Sequence, residues 1–258
     1  MTAALHAEWT KLRTLAGPGW LLTATVVLTV AVSAAAAAAT RCPAGLACPV
    51  DPARLSLTGV QLGQAVVAIL AAGLITTEYS TGMIRTTFTA TPRRLTVLGV
   101  KAALLAGVVL AAGAVAALGS LAAGRLILPG HGFTAARGFA ALSLADGGVL
   151  RATLGSALYL ALVALLSLGI ATIVRDSAAA IAIILGLLYL VPVVAHVLAP
   201  DWYRHLEQAG PMTAGLAIQA TTGLRSLPLS PWAGLGVLAA WAAGALLAGA
   251  LALRLRDA

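Results

Sequence analysis

Six long stretches of this chain carry no charged residue, and their spacing limits the fold more than any other feature. They lie between Arg13 and Arg41, Arg54 and Glu78, Lys101 and Arg125, Arg151 and Arg175, Asp176 and Asp201, and Arg225 and Arg254, each with 23 to 28 uncharged residues. About 20 apolar residues in a helix cross a hydrocarbon core about 30 Å thick. One Arg or Asp at mid-span costs roughly 2.5–3.5 kcal/mol on insertion scales, so six cleared intervals mark the bilayer as the solvent. Charged residues make up 9% of the chain and apolar residues 60%, whereas a soluble domain carries about 25% charged residues. Lipid offers the backbone no hydrogen-bond partners, so such runs read as helices rather than barrel strands. The expected fold is all-α, a single polytopic transmembrane bundle over residues 1–258 with spans at about 20–40, 58–77, 97–124, 151–174, 177–199 and 232–253.

The segments between the spans are also informative. Leu5, Trp9, Leu12 and Ala16 recur at i, i+4, i+7 and i+11, the pattern of one helix face. Glu8, Lys11 and Arg13 lie off that stripe. Residues 3–16 therefore read as an amphipathic helix on the membrane surface, ended by Gly17-Pro18-Gly19 before the first span. The uncharged stretch Thr14–Thr40 is longer than a signal-peptide core of about 7–15 residues, so a retained first span is expected. The stretch from Gln208 to Leu224 is uncharged but only 17 residues long and polar in part. It reads as a re-entrant or interfacial segment.

Six spans place both termini on one side. With that side as the cytoplasm, Lys11, Arg13, Arg85, Arg93, Arg94, Lys101, Arg175, Arg254 and Arg256 fall inside and seven arginines outside, at higher basic density inside, as the positive-inside rule asks. The net charge of +8 is then an anchor at lipid headgroups, with no nucleic-acid partner implied. Cys42 and Cys48 fall in a loop assigned outside, where disulfides persist. A bridge and two free thiols are both open, and the placement favours the bridge. Two thiols alone do not make a four-ligand zinc site, and neither a metal nor a cofactor is expected.

No Gly-Lys-Ser/Thr phosphate loop, HExxH or G-x-S-x-G elbow occurs, so no motif for nucleotide binding, zinc proteolysis or serine hydrolysis is present. Intramembrane enzymes place an ionisable group at depth. The candidate at depth is His196, which falls near the outer end of the fifth span. Small-xxx-small pairs at Gly59/Gly63, Gly113/Ala117 and Ala240/Gly244/Ala248 permit close helix packing or dimerisation.

The most distinctive stretch is Glu78 to Arg94, directly after the second span. Ser80 or Thr81 caps a short helix there that ends before Pro92. Glu78 and Arg85, seven residues apart, would share a face. Thr91-Pro92 reads as the N-cap and first position of the third span, with Arg93 and Arg94 in its first turn. With Glu8-Trp-Thr-Lys-Leu-Arg13 and Leu229-Ser-Pro-Trp-Ala-Gly234, this stretch resembles the permease subunits of ABC-2-type transporters, especially small bacterial six-span ones. The resemblance implies a bacterial plasma-membrane exporter without its own nucleotide site. It implies a homodimer or heterodimer of permeases, set in membrane lipid and driven by a separate ATPase. The surface helix (Glu8, Trp9, Arg13) and the loop after span two (Glu78, Arg85, Arg93, Arg94) would contact that ATPase. Short external helices are expected between the last two spans.

Overall fold

The computed structural model describes residues 2–14, 16–43, 48–83, 94–198 and 207–255, and these form a helical bundle without strands. Six helices are long and apolar enough to cross a membrane, and the chain is a multi-pass membrane protein of all-α class. The surface helix α1 (Thr2–Thr14) leads to the first span, α2 (Ala16–Ala39). A short α3 (Pro52–Ser56) precedes the second span, α4 (Val60–Ser80), and α5 (Arg94–Ile127) is the third. The fourth is α6 (Gly147–Val174). The fifth is built of α7 (Ser177–Leu185), a π-helical turn (Gly186–Leu190) and α8 (Val191–Leu198). A short α9 (Pro211–Leu216) precedes the last span, α10 (Pro231–Leu255).

Gly17-Pro18-Gly19 does not end α1. These residues are helical and lie at the start of α2, which is described from Ala16. The first N–H groups of a helix have no intrahelical acceptor, so Pro18 is tolerated there. Among its described residues the stretch between the last two spans carries short helical pieces, among them α9 and two 3₁₀ turns at Ala217–Gln219 and Leu224–Ser226.

Helix α6 is the axis of the bundle. Two thirds of its membrane window is buried (67%), against 22% for α2 and α10. Its Tyr159, Leu160, Val163, Leu166 and Leu168 form the centre of one apolar core shared with α4, α5, α7 and α10. Two of the small-residue pairs pack within the chain. A Cβ on Gly59 or Gly63 would lie about 2 Å from Thr29 of α2, and the Gly59 N–H donates to Ser33 Oγ. Gly113 lies against Ala157 and Leu160. The third pair differs, since Ala240, Gly244 and Ala248 all stay on the outer surface of α10.

Candidate functional site

Both lysines of the chain, against fourteen arginines, and two of its three glutamates meet at one end of the bundle. Helical spacing puts Glu8 and Lys11, at i and i+3, on one face of α1. Glu78 stands in the last turn of α4, and Lys101 two turns into α5. Lys101 Nζ donates to Glu8 Oε2 at 2.6 Å and to Glu78 Oε1 at 2.8 Å. Lys11 Nζ donates to Glu8 Oε1 at 2.9 Å and to the same Glu78 Oε1 at 2.8 Å. Charges alternate around a closed ring that joins three helices and sums to zero.

The ring is deep. The side chains of Lys101, Glu8 and Glu78 are 1%, 6% and 7% exposed, and that of Lys11 29%. Lysine suits these positions because a compact ammonium with three donors serves carboxylates in several directions, whereas a guanidinium holds its donors in a rigid plane. Burial works to raise the Glu8 carboxyl. The Lys101 charge, hydrogen bonds from both lysines and the Lys11 charge outweigh it and hold the group below its ordinary value. Burial works against the Lys11 ammonium too, and the two carboxylates outweigh it and raise the group. Glu8 and Lys11 are therefore both held in their charged forms.

The structure adds three placements to the sequence reading. Glu8 and Lys11 of α1 are turned to the bundle, while Leu5 and Trp9 on its apolar stripe are exposed (46% and 47%), as expected of a membrane-surface helix. Of the expected contact residues, Glu8 and Glu78 come together in the ring, whereas Trp9 and Arg13 are exposed and take no part in it. Lys101, expected only as a span boundary, is a buried ionisable group, so His196 is not the sole candidate at depth.

Helix α4 ends at Ser80, Thr81 closes it, and Gly82 at φ +72° takes the chain out of the helix. Arg85, Thr91, Pro92 and Arg93 lie outside the described residues. Arg94 begins α5.

A cavity of about 530 Å³ opens beside the ring, bounded by α1, α2, α4 and Lys101. Its lining includes Glu8, Lys11, Glu78 and Lys101 together with Leu21, Leu70 and Leu74. Among the described residues Glu78 Oε2 is buried and has no hydrogen-bond partner. No group of three or more His, Cys, Asp or Glu that could hold a metal occurs among those residues.

The opposite end is closed differently. Cys42 and Cys48 are bridged. The Cys42 N–H donates to the His131 carbonyl at 2.9 Å, and Arg137 Nη1 donates to the Cys42 carbonyl at 2.7 Å. Asp51 caps α3 through the N–H groups of Ala53 and Arg54, and accepts from Thr221 Oγ1 and the N–H groups of Thr221 and Thr222. Burial tends to raise Asp51, but the Thr221, Thr222 and Arg54 bonds outweigh it and hold the carboxyl below its ordinary value. This clamp ties the loop before α4 to the segment between the last two spans. No sequence motif marked it.

No protein-family model matches the chain, and no curated protein matches it significantly.

Proposed function

We propose that the chain is the membrane-spanning permease subunit of an ATP-driven exporter of the ABC-2 type. It would sit in a bacterial plasma membrane as a dimer, energised by a separate ATPase. One observation carries this reading. The resemblance assigns the ATPase contact to the N-terminal helix and the loop between spans two and three, and Glu8 of that helix and Glu78, where that loop was read to begin, are joined by the Glu8–Lys11–Glu78–Lys101 ring. A push on either segment would pass through four charge-assisted bonds into α4 and α5, the second and third spans. Such bonds are short and about twice as strong as neutral ones. In this reading both termini face the cytoplasm, as the basic density of the inside loops supports.

The test is isolation from native membranes with identification of what co-purifies. A P-loop ATPase in stoichiometric amount is expected, and Glu78→Ala is expected to lower its recovery at equal permease abundance. Labelling of a single cysteine at Thr2 or Thr87 by an impermeant reagent from outside intact cells would overturn the orientation. A second reading, a membrane-embedded enzyme, gains support from the buried carboxylates beside a cavity. It requires turnover of an added lipid by the chain alone, abolished by Glu78→Gln.

A further inference from the structure

The fifth span is anchored over its first part and not over its last. Ser177 Oγ at its start donates to Thr76 Oγ1 of α4 at 2.8 Å. Ala180 and Ile184 of α7 and Leu188 of the π turn are fully buried in the shared apolar core. Tyr189 packs against that core, and no described residue of the span beyond it does. Leu190, Val193 and Val194 are exposed. Among the described residues this is the least buried of the six spans, with 17% of its membrane window buried against 67% for α6.

The π turn lies where the two parts meet. There the Val191 N–H donates to the carbonyl of Gly186, five residues back, whereas an α-helix bonds four residues back. A π turn thus holds one residue more than an α-helix needs, and such turns are rare. Pro192 gives a local reason for this one. A proline ring clashes with the carbonyl four residues back, here that of Leu188, and a wider turn moves that carbonyl away. Proline also has no N–H, so this step of the ladder has no bond to break when the register changes. Tyr189 fixes the turn to α4. Its Oη donates to the Gln61 carbonyl in the first turn of that helix, and the Gln64 side chain also hydrogen-bonds it. A carbonyl has two lone pairs, so opening the first bond leaves Gln61 its place in the α4 ladder.

We propose that residues 186–190 are a register switch that converts between this π turn and an α turn, with the Tyr189 hydroxyl as its latch on α4. In the α form the Val191 N–H passes from the Gly186 carbonyl to that of Leu187. Each residue of an α-helix turns by about 100° and rises about 1.5 Å, so α8 rotates by about 100° and shifts by about 1.5 Å relative to α7. The anchored part of the span stays in place. The Asp51 clamp includes no residue of this span, so it stays closed while α8 turns. The inference does not depend on the transporter reading.

The test places spin labels at two exposed positions of the full chain, Leu154 of α6 and Val193 of α8. Labels carried on unnatural amino acids leave the Cys42–Cys48 bridge intact, and pulsed electron resonance in lipid nanodiscs reads the distance between them. The native chain is expected to show one dominant distance. Tyr189→Phe keeps the ring and removes the latch, and Pro192→Ala removes the clash that disfavours the α form. Each is expected to raise a second distance in population by on the order of fivefold, the weight of one hydrogen bond. Deleting Gly186 removes the extra residue, so α8 keeps its native facing in a continuous α-helix. Added to Tyr189→Phe, that deletion is expected to abolish the second distance. An unchanged distribution in Tyr189→Phe or in Pro192→Ala, or a second distance that persists after the deletion, would overturn the proposal.

Discussion

One end of this bundle buries two carboxylates and the other half-buries one, and the two ends hold them by different means. Asp51 is bound by backbone N–H groups and a threonine hydroxyl, next to an end also closed by the Cys42–Cys48 bridge. Those donors are fixed to the chain and cannot move unless the loops move. Glu8 and Glu78 are instead held by two lysines on flexible stems, one of them partly exposed. The comparison teaches where the molecule is built to stay closed and where it is built to be worked on. The clamp end resists rearrangement, and the ring end has bonds that can be re-formed in another geometry.

Removing Lys101 should have the largest effect. Lys101→Met leaves two buried carboxylates with Lys11 alone, and breaking a buried ion pair costs about 3–5 kcal/mol. Thermal unfolding in detergent should fall accordingly. A quadruple variant with Glu8→Gln, Lys11→Met, Glu78→Gln and Lys101→Met should recover most of that loss, since an apolar replacement of a whole buried network is often neutral. Failure to recover would mean that the ring is a source of stability in its own right.

Asp51→Asn should cost less, about 1.5–3 kcal/mol, the contribution of hydrogen bonds to a charged group. Asparagine still accepts through one oxygen. The loss should appear as faster proteolysis between α9 and α10, with the α1 end unchanged. Equal loosening at both ends would dissolve the distinction drawn above.

The response to pH sharpens the comparison. Glu8 and Asp51 are lowered from 4.5 and 3.8, so their contribution is complete above those values and lost as pH falls through the lower folded ones. Lys11 is raised from 10.5, so its contribution is complete below 10.5 and lost as pH rises through the higher folded value. Acid should therefore loosen both ends, and alkali the ring end alone. A variant with Trp9 as its sole tryptophan should change emission in both limbs. A second variant with its only tryptophan from Arg54→Trp, beside the clamp, should respond to acid only.

The smallest effect is expected from Arg13→Ala. Arg13 is exposed and off the ring, and such substitutions usually stay within about 0.5 kcal/mol. A loss of ATPase recovery at unchanged melting temperature would return it to the contact surface.

The spans were legible because charge clearance and length act within one continuous segment. Glu8 and Glu78 were legible as functional candidates through the resemblance, which assigns both to the ATPase contact. What hid the ring was distance along the chain, since Lys101 lies 93 residues from Glu8 and 23 from Glu78. One signal did point to it, the use of lysine only at positions 11 and 101 where every other cation is arginine. The facing of α1 was legible, because an apolar stripe on a helix at a membrane surface turns toward lipid. The Asp51 clamp joins residues 170 apart through backbone groups, which no side-chain pattern records.

The separation of the ring residues also sets an order of events during synthesis. Glu8 and Lys11 emerge together and pair at once along one turn, as a neutral couple. At roughly 5–20 residues per second, the 93 residues to Lys101 take on the order of ten seconds. Through that interval α1 lacks its Lys101 partner, and its Leu5–Trp9 stripe favours the membrane surface. When α4 and α5 are in the membrane the couple, still paired, receives Glu78 and Lys101, so ring closure marks the assembly of the first half of the chain.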